Sequence, residues 1–426
     1  MLAGTLAAVG CGLLGIFLLL RRLSLMGDAM SHSVLPGLVI AFLIVSTRHP
    51  LAMFLGAAVA GIATVVLVEL VKRLGRVEPG AAMGVVFSVL FALGVLLIER
   101  ASVRHVDLDA DCVLHGQLET LVWFGAPDSL TGLFQWSTLE AVPRQVITLA
   151  VMVAGAFAFI GLFLKDLRIA AFAPAMATAQ GINATLMHYL LMIFVAAATV
   201  ASFEAVGSIL VIAMLVCPAA IARLLTDRLA TQIVASVVTS LVCGIGGYFA
   251  ATALPALLDI DAVNAAGSMT VVAGGLLALA IIASPKHGVI TRSLRLRRLS
   301  ARVAMDDLLA AIFRATEAGS GSVSIDALRP LFIGQPLELR FAQAERAGHI
   351  HRLGDAVSLT PQGRDVSANI VRRHRLWESY LVDEAGLALD HVHAPAEQFE
   401  HLDVEPPAGP VVDPHGRDIP RKTDTL

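Results

Sequence analysis

The chain has 426 residues, 57% of them hydrophobic and 15% charged, with mean hydropathy +0.77 and a formal net charge of −3. Soluble domains carry about 25% charged residues, so these values exclude a wholly soluble protein, and the small net charge selects no class of partner. The averages conceal a split: residues 1–285 are almost continuously apolar, whereas residues 286–426 have the composition of a soluble domain.

A helix needs about 20 apolar residues to cross a bilayer. Nine stretches qualify, at 2–20, 25–46, 51–71, 80–98, 145–164, 185–202, 204–224, 229–250 and 267–284, with the first and the last two weakest, so eight or nine spans are expected. The first stretch is followed by further spans and reads as a retained helix, not a cleaved leader. Basic groups stand after alternate spans, at Arg21-Arg22, Lys72-Arg73-Arg76, Lys165-Arg168 and Arg223-Arg228, and six Lys/Arg without an acid occupy 286–302. The positive-inside rule puts these loops and the C-terminus in the cytoplasm of a cell-membrane protein. The segment 100–143 then lies outside, and its amphipathic part, 106–121, is expected at the outer surface. Cys11, Cys112, Cys217 and Cys243 form no CxxC pair and no disulfide framework.

The sharpest feature is GDAMSHSVLPG, 27–37. Asp28 and His32 stand four apart and share a helix face. Ionisable residues in a span are expensive and are paired, face a cavity or line a transport path. Carboxylate plus imidazole suits a first-row divalent ion, and the same spacing also suits a structural hydrogen-bonded pair. Pro36-Gly37 can interrupt the helix, and interrupted helices at membrane depth are where transporters hold cargo. Glu204 reads first as a helix-start carboxylate and second as a gate residue. The chain contains no GxxxxGK[ST] phosphate loop and no nucleophile–base set, so neither ATP binding by such a loop nor catalysis is expected of it.

The run RRLSLMGDAMSHSVLPG (21–37), with DADCVLHGQL (109–118) and FEAVGSILVIAMLVCPAA (203–220), resembles the permease family of metal-uptake ABC transporters over nearly all of 1–290. The resemblance implies that Asp28 and His32 face the pathway and bind manganese, zinc or iron. It also implies a cytoplasmic ATPase subunit, an extracytoplasmic metal-binding protein that delivers the ion, and a second permease half. The loop contacting the ATPase corresponds to 165–182, with Phe172, Pro174 and Gly181. The family's acidic residues beside that proline are Ala173 and Ala175 here.

After the basic linker 286–303, helices are expected at 305–317, 324–332 and 335–347 and two strands within 348–360, turning at Gly354-Asp355. This is the order of a winged helix, assigned to 304–365, and residues 366–426 continue with helices at 362–385 and 394–402. His374 and Glu378 share one helix face; Glu397, Glu400 and His401 share another. Two such faces in contact form an N/O-rich metal site. SLTPQGRD (358–365), RRHRLWE (372–378), VHAPAEQFEH (392–401) and DPHGRDIP (413–420) resemble, in order, the metal-dependent repressors of the diphtheria toxin repressor family. That resemblance implies a metal-binding and dimerisation region with ligands Asp307, His374, Glu397, Glu400 and His401. Iron-type members carry cysteine at the position of Glu397 and manganese-type members a carboxylate, which favours Mn²⁺ over Fe²⁺ or Zn²⁺ both as cargo and as regulatory ligand. Manganese-type members carry a further carboxylate where Ala310 stands. The expected recognition helix, 335–348, sets each arginine beside a glutamate and has no Ser/Thr at its start, which disfavours DNA phosphate contacts. The expected protein is thus an all-α polytopic permease fused to a winged-helix metal sensor. The alternatives are a membrane-tethered metal-responsive regulator and an ion-coupled secondary carrier.

Overall fold

The computed structural model describes all residues except 24–25, 46–49, 103–117, 119–120, 122, 124–140, 259–262, 318, 320, 333–335, 403, 405 and 422–426, and leaves the side chains of 28, 31–32, 50–51, 101–102, 204, 256 and 258 undescribed. It divides into two compact units, Met1–Arg292 and Ser293–Leu426.

The first unit is helical: α1 (Leu2–Leu20), α2 (Met26–Ser33), α3 (Leu35–Val45), α4 (Pro50–Gly75), α5 (Pro79–Ser102), α6 (Arg144–Phe172), α7 (Pro174–Ala179), α8 (Ala184–Leu225), α9 (Leu229–Leu258) and α10 (Ala265–Ala283). Among the described residues, eight helical stretches are long and apolar enough to cross a bilayer. The span expected at 25–46 is not one helix but α2 and α3, separated at Val34. Pro36 has no N–H and its ring clashes with the carbonyl four residues back, which breaks the helix in the turn before it. The two spans expected at 185–202 and 204–224 are both present, in one helical run, α8, of 42 residues. Straight, α8 would measure about 63 Å, roughly twice the hydrocarbon thickness. It is divided at Gly207, with φ 76° and ψ 170°, a region open in practice only to glycine. Of the segment 106–121, only Leu118 and Leu121 are described, and both pack into the core; the rest lies outside the described residues.

The core of this unit is built on α1 and α8. Leu13, Leu14 and Phe17 of α1 are buried with Leu210, Val211 and Met214 of α8. The two backbones touch at Gly15, where a Cβ would lie 1.9 Å from the carbonyl oxygen of Leu215. Hydroxyls inside the bundle find partners across helices: Thr64 Oγ1 donates to Ser33 Oγ at 2.7 Å and Ser236 Oγ to the Gly12 carbonyl at 2.8 Å.

The second unit opens within α11 (Val289–Thr316). The helix expected from 305 starts 16 residues earlier, because nothing in 289–304 breaks it: that stretch has no proline or glycine. There follow β1 (Val323–Ser324), α12 (Ile325–Leu328), a 3₁₀ turn (Arg329–Phe332), α13 (Leu337–Arg346), β2 (Ile350–Leu353), β3 (Ala356–Leu359), α14 (Pro361–Asp383) and α15 (His393–Phe399). The strands form an antiparallel sheet in the order β1-β3-β2, turning at Gly354 with φ 62°. This is the winged helix expected, with a third strand, too short for an alternating pattern to reveal. Leu308, Ile312, Phe341, Ile350, Val357 and Ile370 fill its core. Thr360 caps α14, its Oγ1 accepting from Gly363 N at 2.9 Å.

Replacing Gly207 with alanine is expected to destabilise the purified chain in detergent by about 1–3 kcal/mol, read as a lowered thermal midpoint. Gly161→Ala is the control: its added Cβ meets nothing within 4 Å, and its midpoint should not fall.

Candidate metal centres

In the membrane unit, α2 sets Asp28 and His32 one helical turn apart. The side chains of Asp28, His32 and Glu204 lie outside the described residues, so the backbone alone places them. α2 packs against α4, α5 and α8, and its last residue, Ser33, is fully buried. The pair therefore stands on a short helix inside the bundle, just before the break at Val34. Glu204 stands three residues before the break at Gly207. At the far end of α6, Phe172 is exposed, Pro174 opens α7, and Gly181 closes the following turn with φ 81°. Met176 on α7 is also exposed.

In the second unit, side chains from α11, α14 and α15 converge in two clusters. In the first, His401 Nε2 stands 3.0 Å from Asp307 Oδ1 and 3.6 Å from Glu400 Oε1. In the second, His374 Nε2 is 3.1 Å from Glu378 Oε1 and 3.0 Å from His393 Nδ1, and His393 Nδ1 is 3.0 Å from the same Glu378 oxygen. His374 joins the clusters: its Nδ1 stands 2.5 Å from Glu400 Oε2. Neither of those two atoms makes a hydrogen bond, and Glu378 Oε2 and His401 Nδ1 are likewise buried without a hydrogen-bond partner. Buried polar atoms left so are costly. Atoms about 2.1 Å from one ion and at right angles around it lie about 3.0 Å apart. The 3.0–3.1 Å triangle of the second cluster and the orphaned atoms both fit a bound cation.

The electrostatics are those of a site awaiting positive charge. Burial pushes the carboxyl of Asp307 up, the charge of His401 opposes this, and the charges of Glu400 and Glu397 add to it, leaving it above the usual range. Burial also works to raise Glu378, but hydrogen bonds from His374 and His393 win and hold it at about 2. For His374, burial pulls the imidazole pKa down, while Glu378 and Glu400 outweigh it and carry the pKa above the ordinary value. Arg314 Nη2, 3.7 Å from Glu400 Oε2, supplies part of the missing charge.

The next residue on α14, Arg375, holds the surroundings together. Its guanidinium donates twice to Glu317 (2.8 and 2.6 Å) and to the Asp418 carbonyl (2.6 Å), and its Nε lies 3.6 Å from Asp413. Asp413 accepts from the backbone N–H groups of His415 and Arg417. That loop leaves His415 Nε2 3.9 Å from Glu378 Oε1.

Of the ligands implied by resemblance, Asp307, His374, Glu400 and His401 are brought together. Glu397 is exposed one turn before Glu400 and reaches the cluster only through its charge. Asp306 contacts His401 Nδ1 at 3.5 Å. Sequence reasoning does not pick out His393, although it stands four residues before Glu397 and seven before Glu400, in step with the i, i+3, i+4 set. On the winged helix, Arg352 pairs with Glu338 at 2.7 Å, and Arg340 lies 5.6 Å from the centre of the Phe332 ring.

Comparison with known proteins places these sites in context. Residues 1–122 and 133–284 match the model of the ABC 3 transport family, and residues 360–403 match the metal-binding and dimerisation domain of iron dependent repressors. The chain is 34% identical to the zinc transport system membrane protein TroD of Treponema pallidum over 85% of this chain and 95% of that one. It is 39% identical to the manganese transport system membrane protein MntD of Bacillus subtilis, over 68% and 93%. Among solved structures it is similar to PsaBC from Streptococcus pneumoniae in complex with Fab, with TM-score 0.55 and 27% identity over 70% of this chain and 93% of that one.

The raised pKa of His374 fixes the sign of a pH effect. The stabilisation by its charged form is complete below the unfolded value of about 6.5 and is lost as pH rises through the folded value. The metal-free chain should therefore lose thermal stability in the second unit above about pH 6.5, and His374→Gln should flatten that dependence. Metal needs the neutral imidazole, so calorimetric Mn²⁺ affinity should rise over the same interval, with proton release.

Proposed function

The chain belongs to the ABC 3 transport family, and on that footing we propose that it is the membrane-spanning subunit of an ATP-driven importer of divalent transition metal ions, manganese before zinc or iron. The family match across 1–122 and 133–284 carries the reading. Two relatives named as manganese and zinc transport proteins support the class of cargo. Asp28 and His32 receive the ion on α2: the carboxylate offsets part of its charge and the imidazole supplies a nitrogen donor. The helix is interrupted at Val34, two residues past His32, and interrupted helices at membrane depth are where transporters hold cargo.

The chain has no phosphate loop, so a cytoplasmic ATPase subunit hydrolyses ATP. It docks at α7, where Phe172 and Met176 offer exposed apolar contact and Pro174 and Gly181 fix the turn. An extracytoplasmic metal-binding protein delivers the ion, and a second permease completes the pathway. The basic loops place the C-terminal unit in the cytoplasm of the cell membrane protein.

That unit senses metal. Asp307, Glu400 and His401 form one ligand set and His374, Glu378 and His393 the other, with Glu397 one turn from Glu400 and able to swing in. Their all N/O donors suit Mn²⁺. A bound ion would draw α11, α14 and α15 together by neutralising the buried carboxylates, and this would bias transport as a feedback brake. Arg340 and Arg352 are engaged within the domain, which favours sensing over DNA binding.

Radioactive manganese uptake by cells carrying the full transporter tests the permease role. Asp28→Ala and His32→Ala should each cut uptake about tenfold or more, the scale of a damaged metal site, with zinc a weak competitor. Normal uptake in both variants would remove the pair from the pathway. Deleting residues 304–426 should leave uptake no longer curbed by internal metal, and a curb that persisted would refute the brake.

A further inference from the structure

The start of α11 is used by none of these roles. α10 ends at Ala283, and α11 begins at Val289. The turn between them is tied down. Thr291 Oγ1 donates to the Ser284 carbonyl at 2.8 Å, and Ser284 Oγ donates to the Leu224 carbonyl. Lys286 and His287 both reach Asp227, at 3.3 and 3.1 Å, in the loop between α8 and α9. The first turn of α11 is thus fixed beside an interhelical loop, where three apolar helices end.

From Arg292 to Arg302 every residue is exposed. The stretch holds Arg292, Arg295, Arg297, Arg298 and Arg302, and no acid occurs from 285 to 305. It also holds Leu294, Leu296 and Leu299, exposed by 49%, 56% and 52%. Arg295, Arg298 and Arg302 recur at i, i+3, i+7; Leu296, Leu299 and Val303 recur at the same spacing one residue on. A basic stripe therefore runs beside an apolar stripe about 100° around the helix.

Water suits neither stripe. Exposed leucines gain from burial in proportion to area, and closely spaced arginines repel each other. The first half of α11 buries no side chain of its own, unlike the second, where Leu308 and Ile312 enter the core. An anionic membrane surface answers all three: it takes the apolar stripe at the acyl boundary and the guanidinium groups at the phosphates. Nucleic acid would pair with the basic stripe but leave the leucines in water.

We propose that residues 289–303 form an interfacial helix that binds anionic phospholipid headgroups, with Leu296, Leu299 and Val303 toward the acyl chains and Arg295 and Arg298 on the phosphates. The inference rests on the membrane-spanning part of the proposed function and is independent of cargo and of the sensor's ligand. Because this helix runs into Asp307, lipid binding sets one end of the element that carries a candidate metal ligand.

Hydrogen exchange on the purified full chain, without metal or ATPase, tests it in nanodiscs of phosphatidylcholine alone and of phosphatidylcholine with phosphatidylglycerol. Peptides covering 289–303 should exchange about tenfold slower or more with phosphatidylglycerol. Arg295→Gln with Arg298→Gln should return them toward the phosphatidylcholine rate, while peptides of α14 stay as in wild type. Equal exchange in the two lipids overturns the proposal. Protection by a DNA duplex but not by phosphatidylglycerol, or full protection in lipid-free detergent, also overturns it, assigning the helix to nucleic acid or to another protein surface. If the double variant fails to fold, the comparison of wild type in the two lipids still decides. Failed metal uptake with phosphatidylglycerol-dependent protection intact would count against the cargo reading alone.

Discussion

Inside a bilayer every backbone N–H and C=O needs a partner from the protein, because there is no water to supply one. That constraint makes helices of the eight spans among the described residues of the first unit and makes each interruption informative. The helical runs are interrupted at Val34, at Phe163 and at Gly207. Broken helices and charges are each costly in hydrocarbon. Asp28 and His32 stand within six residues of the first and Glu204 within three of the last, on α2 and α8, which pack together. The close crossing of α1 and α8 at Gly15 gives α8 a firm support on which such a break is tolerable.

The second unit solves a different problem, that of keeping like charges close in a dry place. Glu378, Glu400, Asp307 and Asp413 are gathered among few cations. Arg375 neutralises Glu317 and Asp413 with a fixed fork, and Arg314 lies near Glu400. Glu378 and Glu400 share His374, whose two nitrogens face the two clusters, and Asp307 meets His401. A neutral imidazole donates from only one nitrogen, so the tautomer that donates to one cluster presents an acceptor to the other.

The two units meet in sequence at α11, which begins beside the last span and carries Asp307 in its second half. One continuous helix thus carries both an exposed basic stripe and a metal-ligand candidate.

Much of this was legible in the sequence. Hydropathy alone set the starts of the spans to within about two residues, since transfer of apolar side chains acts locally along the chain, whereas α6 and α9 run eight residues past the expected ends. The i, i+4 spacings named Asp28 with His32 and His374 with Glu378, since helical period is a local property. Resemblance supplied Asp307, Glu397, Glu400 and His401. Pro36-Gly37 pointed to the break between α2 and α3, but only tertiary structure decided that α8 divides at Gly207 and that α11 starts at Val289. It alone brought His393 to Glu378, left Glu397 at the surface, and made His374 the link between two clusters. Convergence of side chains from three helices depends on packing across long stretches of chain, and no periodicity in one segment carries that information.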